Sequence, residues 1–88
     1  LVRARPNPFS PGTVLEFALP RGGPARLEVF DVAGRLVRVL EDAKLPAGVH
    51  ARRWDGTDTG GETVASGVYF VRLATPHALS SEKIVLLR

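Results

Sequence analysis

The chain carries two imidazoles, His50 and His77, and a serine in a tight Ala65-Ser66-Gly67 step. Acid–base or nucleophilic catalysis needs such groups held within hydrogen-bond reach of one another. His50 follows Val49 at an expected strand start, and His77 lies in a loop beside Pro76. Ser66 lacks the Gly-x-Ser-x-Gly frame that exposes a nucleophile on a strand-to-helix elbow. There is no cysteine, so thiolate nucleophiles, thiolate metal sites and disulfides are all excluded. These residues predict no catalytic site.

Asp55, Asp58 and Glu62 share one Gly- and Thr-rich stretch. Oxygen-rich loops hold Ca²⁺, but this spacing does not follow the alternate-position acidic pattern of an EF-hand. Asp and Thr in turns ordinarily serve their own backbone, and that is the expectation here: no metal and no cofactor. Trp54, the single tryptophan, ends an expected strand. In a small sandwich a lone strand Trp is a core filler more often than a sugar platform. The formal charge is +3. Arg3, Arg5, Arg21, Arg26, Arg35, Arg38, Arg52, Arg53, Arg72 and Arg88 are scattered rather than clustered with aromatic platforms. A mixed-charge surface follows, with neither nucleic acid nor a small-molecule substrate as partner.

The elements around these residues are strands. Eighty-eight residues suit one domain. Residues 1–12, with Pro6, Pro8 and Pro11, read as an extended linker or first edge strand, with Phe9 tucked against the core edge. Residues 13–88 read as the domain itself. Leu15, Phe17 and Leu19 alternate with Val14, Glu16 and Ala18, which is strand period. Further strands are expected over residues 25–30, 35–40, 49–54, 62–64, 68–74 and 81–87. Asp31 and Gly34 bound a hairpin turn, residues 41–48 form a loop, and residues 75–80 form a second hairpin loop. Phe30 falls on the outer face beside Arg26 and Glu28 and requires a neighbour to cover it. Helical periodicity nowhere persists for about ten residues, and a turn recurs about every 8–12 residues. The fold class is all-β: an immunoglobulin-like antiparallel β-sandwich of about seven short strands. No stretch reaches the ~20 apolar residues of a membrane-spanning helix. The chain neither starts with Met nor shows a signal peptide, and is expected to be a piece of a longer protein.

The last strand, Lys83-Ile84-Val85-Leu86-Leu87-Arg88, is apolar with basic flanks. Such a strand can be read by strand addition, and ordinary burial with charges guarding its ends is the alternative.

Asn7-Pro8-Phe9, Leu19-Pro20, Val29-Phe30-Asp31, Gly34-Arg35, Ala47-Gly48, Trp54-Asp55-Gly56, Gly61, Val64-Ala65-Ser66-Gly67-Val68-Tyr69-Phe70 and Lys83-Ile84-Val85-Leu86-Leu87-Arg88 stand in one order along the chain. This frame resembles the C-terminal sorting domain of proteins exported by type IX secretion. It also resembles the immunoglobulin-like domain of the flagellar hook-capping protein. The Asn-Pro-Phe start and the basic-flanked ending fit the sorting domain better; Ser10 departs from the Asn often found there. The resemblance implies a non-catalytic sorting module of a larger secreted or cell-surface protein, exported through the periplasm of a Gram-negative bacterium. Its implied partners are an upstream domain of the same polypeptide and an outer-membrane translocon. The implied recognition residues are Gly67, Tyr69, Lys83, Ile84, Val85, Leu86, Leu87 and Arg88. The alternatives are a structural module that spaces or docks a neighbouring catalytic domain, and a flagellar assembly module.

Overall fold

The computed structural model describes residues 2–8 and 12–87. Seven strands follow in order: β1 (Val2–Arg5), β2 (Thr13–Leu19), β3 (Gly23–Asp31), β4 (Leu36–Leu45), β5 (Gly48–Trp54), β6 (Gly67–Ala74) and β7 (Leu79–Leu86). They form two antiparallel sheets, β1-β2-β5 and β4-β3-β6-β7. The expected immunoglobulin-like sandwich is the fold observed.

Alternation along each strand builds the core. Leu15, Phe17 and Leu19 from β2 face Leu27 and Val29 from β3, Tyr69, Val71 and Leu73 from β6, and Ile84 and Leu86 from β7. Trp54, fully buried, is the largest of the sealed side chains. With no cysteine in the chain and no metal ligand set among the described residues to staple it, the domain rests on this apolar burial, about 25 cal/mol per Å² removed from water.

Four segments differ, in whole or in part, from their sequence reading. Within the expected linker or edge strand, Val2–Arg5 pairs with β2, and Val2 and Ala4 are buried in the core. Phe9 lies outside the described residues. The third strand, expected to stop at residue 40, runs to Leu45. Hydrophobic periodicity missed the extension because cross-strand ion pairs support it: Arg26 reaches Asp42 at 2.9 Å and Arg52 reaches Glu41 at 2.6 Å. Register shifts in the β3–β4 ladder also disturb the alternation that a sequence reader relies on. Residues 62–64 are not a ladder strand; Thr63 makes a single bridge to Thr57. The Asp58 carboxylate accepts the N–H groups of Gly60 and Glu62, both at 3.0 Å, and so folds that segment on itself. The β6–β7 loop is also shorter than expected, because Leu79 already pairs with Ala74.

The hairpin turn after β3 forms as read. The Gly34 N–H bonds the Asp31 carbonyl at 3.0 Å, and Gly34 takes a φ of 81° that L-residues reach poorly. Both open sides of the sandwich are laced by side chains. On one side Arg52 of β5 reaches Glu41 of β4. On the other, Glu82 of β7 accepts the Ala4 N–H of β1 at 2.6 Å.

Candidate recognition strand

β7 pairs with β6 through Gly67↔Leu86, Tyr69↔Ile84 and Phe70↔Lys83, and forms one edge of the four-stranded sheet. The proposed recognition residues therefore stand side by side, but their side chains divide between two faces. Tyr69, Ile84 and Leu86 are buried in the core. Lys83 and Leu87 are exposed and Val85 is half-buried. Arg88 lies outside the described residues. Ile84 and Leu86 are sealed from any partner of the folded domain. Lys83, Val85 and Leu87 lie on the outer side of the strand.

Gly67 opens β6 with a φ of 152°, and nothing lies within 4 Å of where a Cβ would stand. Tyr69 is fixed at both ends. Its ring meets Trp54 edge-on at 5.3 Å, and its hydroxyl donates to the Ala65 carbonyl at 2.6 Å. The Trp54 indole N–H in turn donates to the Thr57 carbonyl at 2.8 Å. The chemistry expected of a core filler, an apolar body with a satisfied polar tip, is met in both rings.

The outer face of the same sheet carries a cross-strand row of Leu36, Phe30, Phe70 and Lys83. Phe30, which required a cover, lies opposite Phe70, and the Arg72 guanidinium sits 4.6 Å from its ring centroid. In the next row Glu28 is almost wholly buried although it points outward. Arg26 and Arg72 clamp its two carboxylate oxygens at 2.7 and 2.9 Å. Burial pushes the Glu28 carboxyl up, but the two guanidinium groups outweigh it and hold it below its ordinary value. Leu36 and Phe70 remain exposed.

The catalytic candidates are held apart or occupied. Ser66 precedes β6 and His77 follows it, so the length of that eight-residue strand, roughly 25 Å, separates them. The His50 ring stacks on Phe17 at 5.4 Å, and its Nε2 pairs with the Pro46 carbonyl at 2.8 Å. A cleft of about 260 Å³ at one end is lined by Leu19, Pro20, Pro24, Pro76 and His77, among others, a largely apolar set. In the 55–64 loop, Asp55 accepts the Thr57 N–H and hydroxyl at 3.2 and 2.5 Å. The Thr57 hydroxyl, with burial opposing and Arg38 assisting, holds the Asp55 carboxyl below its ordinary range. Arg38 also donates to the Thr57 hydroxyl. With Asp58 serving Gly60 and Glu62, these acidic side chains fold their own loop. Among the described residues no three His, Asp or Glu side chains converge as a metal site.

One contact at this strand was not foreseen from residue chemistry. Asn7 crosses the edge of β7: its Oδ1 accepts the Val85 N–H at 2.9 Å and its Nδ2 donates to the Lys83 carbonyl at 3.1 Å. The available signal was an amide side chain between Pro6 and Pro8, in a stretch with few main-chain donors of its own.

Comparison with known proteins places this architecture. The family model for the FlgD Ig-like domain matches residues 10–78. Over 45 residues, 51% of the chain, the sequence is 47% identical to the basal-body rod modification protein FlgD of Salmonella typhimurium, and over 46 residues it is 41% identical to that of Escherichia coli. The matched stretch is about a fifth of the length of those relatives, 19% and 20%. Among solved structures, PorZ of Porphyromonas gingivalis, described as an essential surface component of the type-IX secretion system, superposes with a TM-score of 0.66 at 26% identity, over 99% of this chain and 11% of that one. Latent PorU of the same organism shares the fold, with a TM-score of 0.71 at 20% identity over 98% of this chain and 9% of that one. The alternating core, the two-sheet topology and a family match across most of the sequence lead to one assignment: the chain belongs to the FlgD Ig-like domain family.

Proposed function

We propose that this domain is a non-catalytic sorting module of a longer exported polypeptide, read by an outer-membrane export machinery at β7. The observation that carries the reading is the 26% identity to PorZ across 99% of the chain, a protein described as a surface component of type-IX secretion. The division of β7 supports a recognition role for its outer side. Ile84 and Leu86 hold the strand to the core, which fixes its register, while Lys83, Val85 and Leu87 face outward. In this reading Gly67 and Tyr69 act indirectly by seating the strand, and Arg88 supplies the second basic mark. The proposed partners are an upstream domain of the same polypeptide and the translocon, and the protein reaches the cell surface or the medium through a Gram-negative periplasm.

The test is a reporter fused ahead of the domain in a type IX-competent bacterium. Deleting residues 84–88 would remove two fully buried side chains, so it confounds recognition with unfolding. The informative variant is Lys83→Glu with Arg88→Glu, checked by melting for an intact fold. Loss of export with stability retained is the expected result. Export equal to wild type would overturn the role of these residues. A reporter never exported with the intact domain would overturn sorting itself.

The 47% identity to FlgD over 45 residues favours a second reading, a structural flagellar hook-assembly module. That reading predicts no export of the reporter, and rescue of motility when the domain replaces its counterpart in FlgD.

A further inference from the structure

β7 is an edge strand, and an exposed edge presents unpaired N–H and C=O groups to any other strand. Side chains and main-chain groups alternate along it. Asn7 reaches the Lys83 carbonyl and the Val85 N–H, so these two groups point away from β6. They are the groups that a further strand at the middle of β7 would use. An asparagine amide holds an acceptor oxygen and a donor NH2 on one planar group, and so can match the acceptor and donor that a peptide unit offers. Aspartate would supply acceptors alone, and alanine neither. The segment carrying Asn7 is held over this edge by β1, whose Ala4 N–H is bonded to the Glu82 carboxylate.

The edge is also self-complementary. In an antiparallel pairing of two copies about a two-fold at Ile84, Lys83 of one copy faces Val85 of the other, and the Lys83 carbonyls and Val85 N–H groups bond across. No like charges stand directly opposite, because Ser81 faces Leu87 and Glu82 faces Leu86. Nothing in the side chains of β7 forbids this dimer; the Asn7 amide occupies the groups that would form it.

We propose that Asn7 guards the β7 edge, and that the occupant it excludes is β7 of a second copy of this chain. The proposal is independent of what the parent protein does.

Sedimentation of wild type and Asn7→Ala over a wide range of concentration, with amide exchange followed at Val85, tests it. Wild type is expected to be monomeric. In dilute Asn7→Ala, exchange at Val85 should rise about tenfold, the scale of one hydrogen bond. On concentration the variant should form a dimer and regain Val85 protection. Adding Val85→Pro removes the outward N–H while leaving the ladder to β6, and should restore the monomer. Melting curves establish that each variant is folded. Should Asn7→Ala fold poorly, Asn7→Leu, close in size but with neither donor nor acceptor, should give the same dimer. A dimeric wild type, folded Asn7 variants that stay monomeric, or a dimer that survives Val85→Pro would overturn the proposal.

Discussion

The rings of Tyr69 and Trp54 meet in a T-shaped arrangement, centroids 5.3 Å apart with an interplanar angle of 69°, and each ring sends its polar tip to a loop carbonyl of the 55–66 segment. The pair thus ties the start of β6 to the end of β5 through a connection that has no ladder strand of its own. Trp54→Ala is expected to cost about 3–5 kcal/mol through the lost burial and the cavity left behind. Tyr69→Phe keeps the ring contact and removes the hydroxyl, and should cost about 1 kcal/mol. Urea unfolding followed by far-UV circular dichroism checks both; an unchanged midpoint for Trp54→Ala would contradict the core role.

Glu28 makes stability depend on pH in an acid window. Its folded-state pKa lies below the ordinary value of 4.5: burial opposes the charged form, but the hydrogen bonds and charges of Arg26 and Arg72 prevail. The folded state therefore releases this proton more readily than the unfolded chain. The stabilisation is complete above the ordinary value and is lost as pH falls through the folded value. Both arginines are partly exposed and screened, so Glu28→Gln should cost about 1–2 kcal/mol at neutral pH, less than a fully buried pair would. The difference in melting temperature between wild type and Glu28→Gln should shrink steadily as pH is lowered from 5 towards 3, whereas a gap of constant size would refute the linkage.

Gly34 isolates a backbone effect from a packing effect. Its φ is 81°, and nothing lies within 4 Å of a Cβ placed there. Gly34→Ala meets no steric clash with neighbours, so its cost should come from the left-handed backbone alone, about 1–2 kcal/mol. Ala33 next to it is exposed, and Ala33→Gly serves as the control for chain entropy, with a cost below about 1 kcal/mol. Equal midpoints for Gly34→Ala and wild type would show that the turn relaxes.

The alternation of Leu15, Phe17 and Leu19, the valine- and aromatic-rich β6 and the Asp31–Gly34 turn were legible because each is local: side-chain period and turn chemistry are written within a few residues. What escaped was held by distant partners. The extension of β4 rests on Asp42 meeting Arg26 and Glu41 meeting Arg52, pairs that no hydrophobic pattern reveals. β1 is only four residues long with two on its core face, and its neighbouring prolines read as a linker or first edge strand. Of β7, the apolar run, its basic flanks and its capacity for edge pairing were visible, but the Asn7 contact, 76 and 78 residues away in sequence, was not. Residues 62–64 failed for the opposite reason: their strand-like composition was overruled by a single carboxylate that captures two local N–H groups.

That carboxylate carries the last prediction. Asp58 Oδ1 holds the Gly60 and Glu62 N–H groups, while its own N–H and carbonyl bond Glu62 and Gly61. The loop so formed docks on β4, where Thr59 donates both its N–H and its hydroxyl to the Val37 carbonyl. Removing the carboxylate leaves two N–H groups to water and loosens that docking, so Asp58→Ala should cost about 1–2 kcal/mol, the range of a lost cap. Asp58→Asn retains an acceptor oxygen and should recover most of it. If the loop instead used Asp55, Asp58 and Glu62 to bind Ca²⁺, millimolar calcium would raise the wild-type melting temperature and chelator would lower it. The expected outcome is a melting temperature indifferent to both, with Asp58→Ala lower than Asp58→Asn by the same interval in calcium and in chelator. A calcium-dependent rise that disappears in Asp58→Ala would reassign the loop as a metal site.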